Sequence, residues 1–198
     1  MFLSGKVVME SYRDLPEKIY LEDYNGNYHK YIDAIYDVFK RDFMDHKATF
    51  GTHMLGLKFH PTIKDRAYTF YHMTHKGDVE NDREPDFRRC ECMPWARPSI
   101  ENSKKWELKF WEQERGGKHR ICIWLDNSND VDYFVILDVR NTYVLLWTAF
   151  ASENNHEKRK KLREYNQWLF DNDNKKYTPD ELMSQIMDNI IKKQKSPK

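Results

Sequence analysis

Four stretches of the sequence hold side chains able to move protons or grip an anion. The first is TFYHMTHK, with His72 and His75. Imidazole titrates near neutral pH, so either ring could act as a general base or acid. A histidine in an aromatic segment serves equally well as a hydrogen-bonded structural residue. On a strand, His72 shares a face with Phe70 and Thr74, and His75 points the other way with Tyr71 and Met73. That geometry separates the two rings. The second stretch is DFRRCECMPWARP, with Arg88, Arg89, Trp95 and Arg97. Guanidinium forks bind phosphate oxygens bidentately, and an indole offers a stacking face. The same arginines could instead pair with Glu84, Asp86 and Glu91 close by.

The third group flanks a Gly-Gly turn: Lys118, His119 and Arg120, with Thr148 further on in LLWTAF. Arg120 sits on the opposite strand face from Ile121 and Ile123. Thr148 is a hydroxyl in an apolar run, fit either to satisfy backbone or to meet a phosphate oxygen. The fourth is HEKRKKLRE, with five Lys or Arg in the six positions from Lys158 to Arg163. Most such runs are solvated faces, but this is the densest basic patch of the chain. Lys160 and Lys161 are therefore candidates for contacts to a nucleic-acid backbone.

No P-loop, dinucleotide fingerprint, nucleophile elbow or HExxH is present. The net charge of +1 supplies no global field, so any nucleic-acid site must be a local patch. Cys90, Cys92 and Cys122 are too few and too odd for a disulfide framework, and Cys90-x-Cys92 has no second pair to complete a metal site. No metal and no cofactor are expected. With no secretory signal and no membrane-length apolar run, the sequence reads as a cytoplasmic protein without membrane contact.

The elements that must position these residues centre on 106–150. Four β-rich runs, near 106–115, 118–126, 132–139 and 142–150, are separated by Gly116-Gly117, the cluster from Asp126 to Asp132, and Arg140-Asn141. Connections this short make neighbours antiparallel. The expected fold is α+β, a four-stranded antiparallel β-meander packed against N-terminal and C-terminal helices. YFVILDV and TYVLLWTAF are apolar at nearly every position, which requires cover on both faces. Apolar spacing predicts a helix over 27–45, and GLKFHP and RAYTFYHMTHK read as extended runs. The stretch 76–98 reads as a long ordered loop, leading to a turn of helix capped by Ser99. Helices follow over 153–170 and from Thr178, where Thr-Pro-Asp-Glu forms a capping box. The division is an extension over 1–26, an α+β domain over 27–170, and a C-terminal helix with a fraying basic tail over 171–198, packed on the same domain.

The order IYDVFKRDF, FYHMTH, RRCECMPWARPSIEN, KFWEQERGGKHRICIWL and YFVILDVRNTYVLLWTAF, followed by a basic helix, resembles phage- and prophage-associated members of the barnase–EndoU–colicin–RelE nuclease superfamily. The resemblance covers residues 28–168. It implies N-terminal helices before a four-stranded meander, and metal-independent cleavage of RNA, often tRNA or translating mRNA, by attack of a ribose 2′-hydroxyl. An antitoxin or immunity protein would be a natural partner. The matching positions are His72, Arg88 or Arg89, Trp95, Arg120 and Thr148. The implied roles are base or acid for His72, phosphate stabilisation for Arg88 and Arg120, orientation of a phosphate oxygen for Thr148, and base stacking for Trp95. Arg89, Arg97, Lys160 and Lys161 would hold the rest of the substrate. His75 is the candidate for the second proton-transfer group. The alternative is a non-catalytic phage or mobile-element protein that binds nucleic acid or a protein partner.

Overall fold

In the computed structural model of the chain the described residues are 14–77, 79, 82–127 and 130–195. The apolar run Lys6 to Met9 and the end of the tail, 196–198, lie outside them. The fold is α+β. Strands β5 (Lys109–Arg115), β6 (Lys118–Leu125), β7 (Asp132–Val139) and β8 (Val144–Ser152) pair antiparallel in succession. Gly116 and Gly117 both take positive φ, the backbone a two-residue hairpin of matching twist requires. β7 is buried at all eight positions, as an apolar central strand covered on both faces must be.

The sheet is larger than the expected meander and is mixed. A short hairpin of β1 (Thr49–Phe50) and β2 (His53–Gly56) adds β2 parallel to β8, through Leu55↔Val144 and Gly56↔Leu145. The order is β1-β2-β8-β7-β6-β5. Two ladder positions carry too little pattern to announce a strand. A Cβ on Gly56 would lie 2.8 Å from Leu145 Cδ2, so a larger residue there requires the Leu145 side chain to turn aside.

RAYTFYHMTHK is not extended: it holds helix α2 (Tyr68–Thr74), followed by β3 (His75–Lys76). All seven residues of α2 are buried, so the segment has no polar face and no helical period to read. α2 lies along β8 beyond the end of β2. There the Thr69 hydroxyl lies 3.4 Å from the Leu146 carbonyl, an acceptor on the strand edge. The 76–98 passage is likewise more regular than a loop. It contains β4 (Glu84–Pro85), which pairs with β3, then α3 (Phe87–Glu91), a 3₁₀ turn Met93–Trp95 and α4 (Ala96–Glu101). Pro94 and Pro98 fall in first turns, where a missing N–H breaks no helical bond. Ser99 is inside α4 rather than at its cap, and its hydroxyl donates to the Trp95 carbonyl at 2.7 Å.

Helix α1 (Tyr28–Phe39), capped by Asn27 and continued by a π turn over Lys40–Asp45, buries Tyr31, Ile32, Ile35 and Phe39. With α2, α4 and the first turns of α6 (Pro179–Lys195) it covers one face of the sheet, built on Ile121, Ile123, Val135, Leu137 and Leu146. The opposite face carries Trp111, Cys122, Trp124, Phe134 and Ile136 and is covered by α5 (Asn155–Asp171) through Tyr165 and Trp168. The capping box of α6 is formed: Thr178 N–H donates to Glu181 Oε2 at 2.7 Å, and Glu181 N–H to Thr178 Oγ1 at 3.3 Å. No helix among the described residues is long and apolar enough to cross a membrane.

Candidate functional site

Three of the residues singled out in the sequence meet at the junction of α2, α3 and β8. The meeting point is the backbone carbonyl of His72. Thr148 Oγ1 donates to it at 2.7 Å, and Arg89 Nη1 donates to it at 3.0 Å and to Thr148 Oγ1 at 3.3 Å. Arg89 also lies over the Phe150 ring and beside Asp86. Burial pulls its pKa below the usual guanidinium value, with Asp86 opposing. The cluster fastens the end of α2 to the sheet. The His72 ring is 4% exposed, packed against Tyr68 (centroids 4.5 Å apart) and Trp147 (5.0 Å). Trp147 is the extra residue of a β-bulge, because Ile136 faces Thr148 while Leu137 faces Leu146. Its ring also receives the Arg120 guanidinium at 5.0 Å, so Arg120 comes within one ring of His72.

The other expected positions are elsewhere. Arg88 pairs with Glu153, just before α5. Trp95 is 4% exposed, donates its indole N–H to the Pro16 carbonyl at 2.8 Å, and packs on Tyr133. Arg97 ties α4 to the end of the π turn, donating to the carbonyls of Asp42 (2.9 Å) and His46 (2.8 Å). Lys160 is exposed, whereas Lys161 is buried against the sheet with Nζ 3.3 Å from Glu164. Cys90 and Cys92 are core residues whose thiols burial pushes up to about 12. Among the described residues no group of three His, Cys, Asp or Glu is placed to hold a metal ion.

On the other side of α2 lies a cleft of about 510 Å³, a size suited to a small organic ligand. Its walls are Tyr28, His29 and Ile32 of α1, Ile63, Lys64 and Arg66 of one turn, Phe70 and Tyr71 of α2, His75, and Arg83 with Pro85. Three cations, Lys64, Arg66 and Arg83, and two imidazoles line it, and among the described residues no carboxylate does. Arg66 is paired behind the wall with Asp33 and lies over the rings of Tyr36 and Phe70. Lys64 and Asp65 both take positive φ at the centre of a two-residue turn closed by Ile63 N–H to Arg66 O (3.0 Å) and Arg66 N–H to Ile63 O (3.1 Å). That turn holds Lys64 at its tip, and among the described residues Lys64 forms no ion pair.

His75 is the chemically distinctive group here. Its ring lies 4.4 Å from the Tyr71 ring, and its Nδ1 is 2.9 Å from Thr74 Oγ1. The Thr74 hydroxyl also lies 2.8 Å from the Phe70 carbonyl; with its proton on that carbonyl, the ring proton would sit on Nδ1 and leave the Nε2 lone pair to the cleft. Burial, reinforced by Lys64 and then by Arg66 and Arg83, lowers the His75 pKa to about 4. The ring is therefore a neutral acceptor at pH 7. The arrangement suits a phosphate ester: cations for the oxygens, a neutral imidazole for a hydroxyl proton, and Tyr28, Phe70 and Tyr71 as apolar walls.

Sequence reasoning reached His75 but missed His29, Lys64, Arg66 and Arg83, which come from three separate segments with no shared spacing. The readable signal was Lys64-Asp65, a charged pair between two apolar runs at a turn. Comparison of the chain with known protein families, with curated proteins and with solved structures finds no match in any of the three.

Proposed function

We propose that the protein is a metal-independent endoribonuclease whose chemistry takes place in the cleft between α1 and α2. The observation that carries the proposal is the cleft lining: three cations and two imidazoles, with no carboxylate among the described residues, inside aromatic walls. Cleavage by a ribose 2′-hydroxyl requires a base, an acid and positive charge on the phosphorane. His75 Nε2 takes the 2′-hydroxyl proton, the 2′-oxygen bonds to phosphorus, and the bond to the 5′-oxygen breaks. His29, on the α1 wall of the same cleft, is the group placed to return a proton to that leaving oxygen. Lys64, Arg66 and Arg83 balance the charge that builds on the phosphate oxygens. The products are a 2′,3′-cyclic phosphate and a free 5′-hydroxyl. This is the reaction class that the resemblance implies, but with His75 rather than His72 as the proton acceptor. The His72 ring lies beneath Trp147 and Tyr68, where a substrate hydroxyl has no approach.

The test is incubation of bulk tRNA and total RNA with the purified protein in EDTA, beside folded His75→Ala and Lys64→Ala. Fragments ending in cyclic phosphate, lost with His75→Ala and much reduced with Lys64→Ala, are expected. Full cleavage by folded His75→Ala would remove the assignment. RNA binding that depends on Lys64 without any cleavage would instead favour a non-catalytic nucleic-acid-binding protein.

A further inference from the structure

The basic run of α5 divides by face. Lys158 and Lys161 point toward the sheet: Lys158 Nζ lies 3.1 Å from Asp126 and 3.1 Å from Asp132, and Lys161 is 7% exposed beside Glu164. Arg159 and Arg163 point outward with His156, Asn166 and Phe170, all exposed. At about 100° per residue these five fall within an arc of about 80°, opposite the buried side. Among the described residues neither Arg159 nor Arg163 forms an ion pair, nor does the neighbouring Lys160. The lysines of the inner face are neutralised and the arginines of the outer face are not. Phe170, 73% exposed, ends the stripe with an open ring.

We infer that this outer stripe of α5 is a track for the phosphate backbone of single-stranded RNA, with Arg159 and Arg163 on successive phosphates and Phe170 under a base. The inference rests on the RNA reading given above and extends it to a second surface. Charge complementarity identifies the occupant: an uncompensated cationic row beside an exposed aromatic ring is how proteins hold single strands without sequence preference. The stripe is joined to the cleft wall through one ion pair and short stretches of chain. Pro85 of the cleft wall is three residues from Arg88, Arg88 pairs with Glu153, and Glu153 is three residues from His156. On this reading a longer strand occupies both surfaces, whereas a dinucleotide occupies the cleft alone.

The experiment measures binding of a fluorescent single-stranded RNA oligonucleotide across a salt series, together with cleavage of a ribodinucleotide, for the wild-type chain and for the double variant Arg159→Ala/Arg163→Ala. Both side chains are exposed, so the fold is retained. Loss of two phosphate contacts makes the slope of log K against log salt shallower by about 1.4 for a single strand. Affinity at low salt is expected to fall about tenfold or more, with dinucleotide cleavage unchanged. An unchanged slope and affinity overturn the track, and leave the cleft reading standing if the dinucleotide is still cut. A shallower slope with no dinucleotide cleavage by the wild type supports the track and counts against the cleft chemistry. Absence of RNA binding by the wild type, with α5 amide shifts on addition of an acidic polypeptide, assigns the stripe to a protein partner and overturns it.

Discussion

Replacing Arg89 with alanine separates a fastening role from a substrate-binding one. Its guanidinium donates to the His72 carbonyl at 3.0 Å and to Thr148 Oγ1 at 3.3 Å, pairs with Asp86 at 3.5 Å, and covers the Phe150 ring. Hydrogen bonds from a charged donor contribute about 1.5–3 kcal/mol when short, and the longer one here sits at or below the lower end. The His72 carbonyl keeps Thr148 as a donor and so is not orphaned. Asp86 keeps its backbone contact to Arg89 N–H and Lys76 at 3.6 Å, so its charge is not stranded. Together these give a loss of about 3 kcal/mol, below the upper range for breaking a buried pair. For a chain of this size that lowers Tm by roughly 6–12 °C. Arg89→Lys keeps the charge but reaches fewer acceptors and should lose about half as much. Urea denaturation at pH 7 gives both values, and RNA cleavage per folded molecule should be unchanged. A stability loss under about 0.5 kcal/mol, accompanied by loss of cleavage, would refute the reasoning and make Arg89 a substrate contact.

Three further outcomes follow from the geometry. His75 has a pKa of about 4 when folded, against roughly 6.5 when unfolded. The unfolded chain therefore binds more proton between those values, and the His75 contribution is complete above pH 6.5 and lost as pH falls toward 4. Urea titrations through that window should give a flatter profile for His75→Gln; an identical slope would contradict the neutral buried ring. Gly51 has φ +61, and a Cβ there would fall 2.5 Å from Asp180 Oδ1, which also accepts from the Thr52 N–H and hydroxyl. Gly51→Ala should therefore destabilise by about 1–3 kcal/mol in thermal unfolding. Burial pushes the thiols of Cys90, Cys92 and Cys122 up to about 12, so a thiol reagent at pH 8 should label the native chain slowly and all three sites in guanidinium chloride. Rapid native labelling would show that these sites open readily.

The meander was legible because its signals are local. The Gly116-Gly117 turn and the apolar runs of β7 and β8 mark the strands to within three residues at each boundary, the largest difference being the start of β5 at Lys109 rather than 106. The helices α1, α5 and α6 were legible for a similar reason, each having an exposed side that gives a period. α2 has none, since Tyr68 through Thr74 are all buried, and its aromatic content imitates a strand. The β1–β2 addition escaped because a parallel ladder of two positions is fixed by distant partners. The cleft depended on that error. Once His72 and His75 lie on a helix and just beyond its end, one ring turns to Trp147 and the other to α1, a division that strand alternation could not place correctly.

The parallel pairing of β2 with β8 has a kinetic side. Leu55 meets Val144 89 positions later, and the Thr69, His72 and Arg89 contacts to β8 span similar distances. The meander closes through neighbouring hairpins and can assemble early, while the contacts that receive α1 and α2 have a large loop-closure entropy to overcome. On the ribosome the order is reversed, because α1 to α4 emerge before the meander strands they pack against. α2, with Phe70 and Met73, must then wait for β8 to complete its burial. During synthesis the N-terminal half is thus the aggregation-exposed part of this chain, and completion of β8 is the event that commits it to fold.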